Sequence, residues 1–163
     1  KKRSERDGVD YISWIRDGHI ISTPGDVTDY SFIRQKINEL SKKYRIQSIC
    51  YDRWNASQLV IDLQNDGANL DPFGQGFVSM SMPTKTLEAE ILAKNIIHNN
   101  NPCMTWCLSN VALQEDPAGN IKIAKNKSKE KVDPIVSLVM ALGCHLTTES
   151  GDSVYDTRGV LSF

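Results

Sequence analysis

The feature that most constrains this chain is the step from Ile49, Cys50 and Tyr51 to Asp52, Arg53 and Trp54, where a short apolar run stops on a carboxylate. A strand ending this way sets a hard oxygen ligand at the rim of a sheet, where catalytic metal sites are often built. Far downstream, Val132, Asp133 and Pro134 open a second apolar segment, so another aspartate heads what reads as a helix. Two carboxylates so placed are candidates to share a metal ion.

With 163 residues, 40% of them hydrophobic and 24% charged, the chain suits one globular domain with its own core. A formal net charge of -1 excludes a uniformly basic nucleic-acid binder. Local basic runs remain, at Lys1, Lys2 and Arg3 and between Lys122 and Lys131. Cys50, Cys103, Cys107 and Cys144 are scattered through apolar surroundings, which predicts separate buried thiols in a reducing compartment. Cys103 and Cys107 lack the second ligand pair of a zinc site. No run approaches the roughly 18 apolar residues of a membrane span, and no signal peptide is visible, so an intracellular protein with no membrane partner is expected.

Apolar spacing predicts a helix over residues 4–17, a brief strand over 19–23, and a helix over 30–43 capped by Asp29. An interior strand follows over 46–51, then a helix around Leu59, Ile61 and Leu63 that stops near Gly67. Residues 74–80 read as loop and strand. Pro83 sits near the start of a helix turning Leu87, Ile91, Leu92 and Ile96 inward, which His98 to Pro102 interrupts. Residues 104–113 fit neither period, and 116–120 is a turn leading into a short segment at 121–124. The last helix is expected over 134–142, stopped by Gly143, with a domain over 1–146 and a flexible tail over 147–163. Helices alternating with short strands predict an α/β sheet packed by helices.

An ordered series of segments then resembles one family. It comprises residues 24–30, Tyr51 to Trp54, Met82 and Pro83 with Leu87 and Glu88, and His98 with Asn101, Pro102, Trp106 and Asn110. Gly119 and Asn120 with Lys125, Val132 and Asp133, and Met140 to Gly143 complete it. Together they resemble the nuclease domain of the large terminase subunit of tailed bacteriophages, from about residue 3 to residue 143. The resemblance implies a ribonuclease H-like mixed sheet flanked by helices, and a metal-dependent endonuclease that cuts double-stranded DNA for packaging by two-metal hydrolysis. It implies Asp52 and Asp133 as catalytic metal ligands and Mg²⁺ or Mn²⁺ as the cofactor. It further implies the terminase small subunit and the portal or procapsid as partners of the full-length protein, in the cytoplasm of an infected or lysogenic host.

Two hard cations about 4 Å apart can activate water on one side of a phosphodiester and stabilise the leaving oxygen on the other, and carboxylates from distant segments suit them. Lys125, Lys127 and Lys129 precede Asp133 and are candidates to hold the DNA backbone, though a solvated loop has the same spacing. Local explanations compete. An aspartate before Pro134 is what a helix N-cap looks like, and Asp52 could start the following helix. Asp26 and Asp29 read as turn and cap residues, His98 as a helix-end group, and Trp54 and Trp106 as core before base-stacking residues. The pattern also departs from the family. Asp7, Asp10 and Asp17 lack the apolar strand setting of the family's upstream metal ligand, and no G-x-x-x-x-G-K-[ST] loop of the motor half occurs. The expectation is therefore a domain whose ATPase motor and first nuclease strands lie elsewhere, and which taken alone cuts DNA weakly or not at all. The alternative is a module that docks the packaging motor on DNA or procapsid without chemistry.

Overall fold

The computed structural model describes residues 2–23, 25, 28–53 and 57–150. Two short helices, α1 (Lys2–Asp7) and α2 (Tyr11–Arg16), replace the single one expected. Gly8 takes φ +64, a left-handed conformation that ends α1, and Asp10 restarts the chain by accepting the Ser13 N–H at 3.0 Å. The strand expected at 19–23 does not form. Instead the N–H groups of His19 and Ile20 both donate to the Trp14 carbonyl, closing the end of α2. Tyr11 and Trp14 then stack edge-on at 5.8 Å.

Helix α3 (Tyr30–Lys43) starts where its cap predicts, with the Asp29 carboxylate accepting the Ser31 and Phe32 N–H groups. Its Phe32, Ile33 and Ile37 are half-buried, while Leu40 is exposed. Strand β1 (Ile49–Tyr51), α4 (Ser57–Asn65) and β2 (Leu70–Pro72) form a crossover unit in which the strands pair in parallel, Ile49 against Leu70 and Tyr51 against Pro72. Val60 and Leu63 are the buried positions of α4. Among the described residues β1 has this one neighbour, so it is a half-buried edge strand and not the interior strand expected. Pro72 lacks a donor and fits an edge strand. The strand expected over 74–80 thus lies just upstream, and helix starts there.

Helix α5 (Phe77–Leu92) carries Pro83 in its interior rather than at its start. Proline removes one helical donor, and the neighbouring Thr84 hydroxyl donates to the Met80 carbonyl at 2.6 Å inside the core. Leu87 is buried as expected, but Leu92 is 75% exposed because the helix ends there and Lys94 turns left-handed at φ 61. Helix α6 (Pro102–Ser109) claims most of the ambiguous segment, leaving β3 (Leu113–Glu115) to pair antiparallel with β4 (Ile121–Ile123). Asp116 ties their turn by accepting the Ala118 and Asn120 N–H groups, each at 2.9 Å. The parallel and antiparallel pairs are separate two-stranded sheets among the described residues, not one mixed sheet.

Helix α7 (Asp133–Ser150) is the spine of the core. Ile135, Val136, Val139, Met140 and Cys144 recur at helical spacing and are buried, Val139 completely. The first four close over Phe73, Met80, Leu87, Cys107 and Ile123. The helix does not stop at Gly143 and runs unbroken past 146, so the boundary expected there falls inside it; the rest of the expected tail, 151–163, lies outside the described residues. Gly143 serves close approach instead of termination. A Cβ there would stand 2.5 Å from Phe73 Cζ and 3.2 Å from Pro83 Cγ.

That overlap sets the sign of a substitution. An unconstrained mid-helix glycine gains about 1 kcal/mol on becoming alanine, whereas overpacking a filled core costs about 1–3 kcal/mol. Gly143→Ala is therefore expected to destabilise the chain in urea unfolding, and Phe73→Leu in the same chain to recover part of the loss. A more stable Gly143→Ala would contradict the packing described.

Candidate functional site

Asp52 follows the last residue of β1 and is half-buried. The next residue, Arg53, lines a cleft with Phe73, Gly74, Met82, Gly143 and Thr147. Trp54, which was to follow in the same motif, lies outside the described residues, as does Asp26.

Asp133 is the first residue of α7. It does not cap the helix. The preceding residue, Val132, is 2% exposed, and its carbonyl accepts the Ile135 and Val136 N–H groups at 2.9 and 3.0 Å. Anchored by that buried neighbour, the Asp133 side chain stands 67% exposed and pairs with Lys125 Nζ at 3.3 Å. Lys125 is itself fixed at its backbone by Ala124, which is 2% exposed and donates its N–H to the Ala112 carbonyl at 2.8 Å. Lys127 and Lys129 lie exposed on the loop between β4 and α7. Strand β4 is held to α5 through the Ile121 N–H, which donates to Ser81 Oγ at 3.1 Å, and Lys85 Nζ donates to the Gly119 carbonyl at 2.8 Å.

The structure thus brings Asp133 to Lys125. Gly143 and Thr147, the α7 residues beside Arg53, lie ten and fourteen positions after Asp133. At 1.5 Å rise per residue they stand about 15 and about 21 Å along the helix axis from it. The exit of β1 accordingly faces the far half of α7, while Asp133 opens the near end. Among the described residues no group of three or more acidic, histidine or cysteine side chains is placed to hold a metal.

Other candidates resolve into structural roles. Trp106 packs against Tyr11 and Trp14 with ring centres 6.2 and 5.8 Å apart, joining α2 to α6. His98 lies exposed in the loop after α5 and not at the helix end, beside an apolar cleft with Leu87, Ile91, Met104 and Leu138. Cys103 and Cys107 are free thiols, and burial pushes Cys107 up to about 12, with Cys103 adding to the shift. Cys50 and Cys144, expected as separate thiols, instead form a disulfide across β1 and α7 with Cα atoms 6.3 Å apart. Ninety-four residues separate them, and no local spacing could have signalled the pair.

Sequence reading also missed the clamp between α3 and α4. Arg34 Nε donates to Asp66 Oδ2 at 2.6 Å, and Asn38 Nδ2 donates to the same oxygen at 2.7 Å. The guanidinium, then the amide, hold the Asp66 carboxyl down at about 2. A lowered carboxyl contributes stability that is present above the ordinary value near 4 and fades as pH falls toward 2. Acid unfolding followed by circular dichroism should therefore steepen between about pH 4 and 2, and Asp66→Asn should blunt that part of the curve. An unchanged curve would contradict the clamp.

Comparison with known proteins decides the family. The sequence profile of "Terminase large subunit, endonuclease domain" matches residues 1–149. The chain belongs to this family. Terminase relatives include the large subunit of Enterobacteria phage HK97, 33% identical over 157 residues, which are 93% of this chain and 31% of the phage protein. Protein YmfN of Escherichia coli K12 is 30% identical over 158 residues, 96% of this chain and 35% of YmfN. The crystal structure of the HK97 large terminase superposes with a TM-score of 0.81 at 34% identity, over 88% of this chain and 30% of that one. The terminase domain thus spans about a third of the length of these relatives. No helix among its described residues is long and apolar enough to cross a membrane.

Proposed function

We propose that this domain is the metal-dependent endonuclease of a phage or prophage DNA-packaging terminase, of ribonuclease H-like architecture, acting on double-stranded DNA. The observation that carries the reading is the family match over residues 1–149, which includes both Asp52 and Asp133. Asp52 and Asp133 are the metal ligands in this reading. Their oxygen donors suit Mg²⁺ or Mn²⁺, which keep open positions for water and phosphate. Two carboxylates balance too little charge for two divalent ions, so a further acidic ligand comes from elsewhere in the full-length protein.

When bound, the ions supply an activated water and stabilise the leaving oxygen of the phosphodiester. The chain's own residues position the reactants. Val132 and the first turn of α7 fix the direction of Asp133, and β1 presents Asp52 at its exit. Lys125, Lys127 and Lys129 hold the DNA backbone, which positions the duplex without reading its sequence. The small subunit and the portal or procapsid are partners of the full-length protein, in the host cytoplasm.

The separation between Arg53's neighbours on α7 and Asp133 favours a second reading, in which the domain docks the packaging motor on DNA and does no chemistry. Supercoiled plasmid separates the two. The full-length protein should nick or cut it with Mn²⁺ or Mg²⁺ and stop when the metal is chelated. Retention of plasmid in a gel shift with no cleavage under either metal would favour the docking module.

A further inference from the structure

We propose that Lys42, Lys43 and Arg45 form a second hold on the DNA backbone, at the entry of β1 and apart from the Lys125 loop. The inference rests on the reading of DNA as the partner and adds a surface that this reading leaves unused. Lys42 and Lys43 close the last turn of α3, and Tyr44 caps it. A helix C-terminus favours cations, but the effect fades within the last turn, and Arg45 lies beyond it. Residues 42–45 are all exposed, and among the described residues none of the three cations is in a salt bridge. Lys42 bears on Glu39, but Lys36 Nζ already holds that carboxylate at 3.0 Å. Lys42, Tyr44 and Arg45 border a cleft of about 620 Å³ between the end of α3, the entry of β1 and the turn after α4. Asp66 lines the same cleft, with its charge met by Arg34 and Asn38. Lys43 Nζ stands 5.1 Å from the centre of the exposed Tyr44 ring, which holds the ammonium at the surface. Three cations within four residues suit a polymer that carries a negative charge every 1.7 Å or so of its axis. A protein partner would have to gather as many carboxylates at one place. Arg45 lies seven residues before Asp52, at most about 25 Å of chain, so one helical turn of duplex, about 34 Å, is long enough to reach both.

The test is the salt dependence of binding, read without divalent metal so that no DNA is cut. The full-length protein is titrated with a fluorescent duplex of 20 base pairs between 50 and 200 mM salt, as wild type and with Lys42, Lys43 and Arg45 all changed to Gln. Each phosphate contact contributes about -0.9 to the slope of log affinity against log salt, so the triple variant should give a slope shallower by about 2.7. The affinity gap between the two proteins should then narrow about 40-fold from 50 to 200 mM. Lys42→Arg, Lys43→Arg and Arg45→Lys made together keep the charges and should keep the wild-type slope. Arg16→Gln removes an exposed cation of α2 that is already paired with Asp17, and should leave the slope unchanged. All three positions are exposed, so circular dichroism of the triple variant should match wild type. An unchanged slope in the triple variant, with wild type still binding, would overturn the second hold and leave DNA as the partner. The same loss in the charge-keeping variant, or an equal loss in Arg16→Gln, would also overturn it. No retention of duplex by wild type at 50 mM salt would overturn this inference and the DNA reading together.

Discussion

Asp52→Asn and Asp133→Asn, each made in the full-length protein, are expected to lower plasmid cleavage by more than about 100-fold, since losing even an outer partner of a metal ligand costs 10- to 100-fold. The substitutions keep side-chain size and remove the charge that would hold the cation in the proposed centre. Asp133→Asn should not unfold the domain. Asp133 is mostly exposed, and its contact with Lys125 is an open ion pair worth at most about 1 kcal/mol. Helix α7 starts from the Val132 carbonyl, which the substitution leaves in place. The circular dichroism spectrum and thermal midpoint of Asp133→Asn should therefore match wild type while its initial rate collapses. Full activity in Asp133→Asn would remove that residue from the chemistry, whatever Asp52 does.

Reduction of the Cys50–Cys144 bond, the state that a reducing host cytoplasm would impose, is expected to have the largest effect on stability. The bond joins residues 94 apart in sequence, so in the unfolded chain it closes a long loop. Cross-links of this kind contribute about 2–4 kcal/mol, mainly by restricting the unfolded ensemble. In a domain of this size that corresponds to roughly 5–15 °C in thermal midpoint. Melting curves with and without dithiothreitol measure it directly. Cys144→Ser should melt at the reduced midpoint in both buffers, and Cys103→Ser should keep the difference. Identical midpoints for the wild-type chain with and without reductant would mean that the two sulfurs lie side by side unbonded. The bond also matters for the site, because it ties the strand that presents Asp52 to the helix that begins with Asp133.

The legible parts of the fold are those where one local signal dominates. Asp29 followed by Phe32, Ile33 and Ile37 states a capped amphipathic helix, and α3 begins one residue after that cap. Asp116, Gly119 and Asn120 state a tight turn, and the hairpin forms around it. The parts that misled are those where tertiary packing overrides a local signal. Gly143 carries the usual mark of a helix end, yet the approach of Phe73 demands a residue without a side chain, and α7 continues through it. Pro83 carries the mark of a helix start, but Phe77 to Met82 precede it in the same helix. Strand β2 is three residues long and ends on Pro72, too short for alternation to register.

The candidate site was proposed from residue types, and its geometry was not legible. Asp52 and Asp133 stand out because each lies at the mouth of an apolar segment, where local structure predicts a strand exit and a helix start, and both elements are there. The pairing of Asp133 with Lys125, the clamp of Arg34 on Asp66 and the bond between Cys50 and Cys144 all depend on how distant segments meet. No spacing rule reaches them. Lys125 illustrates the limit: in sequence it is one lysine of a basic run, and its distinction from Lys127 and Lys129 comes from the direction in which β4 delivers it to the start of α7.

The central claim is that Asp52 and Asp133 belong to one metal centre in the metal-loaded full-length protein, which requires the exit of β1 to stand nearer the start of α7 than the cleft at Arg53 places it. Crystals of the full-length protein soaked in Mn²⁺ and measured at the manganese absorption edge test it most directly. The account predicts anomalous peaks about 4 Å apart, with carboxylate oxygens of Asp52 and Asp133 each within about 2.5 Å of a peak. Manganese bound elsewhere, or bound with the two carboxyl groups more than about 10 Å apart, would contradict it, because ions about 4 Å apart could not then be shared between them.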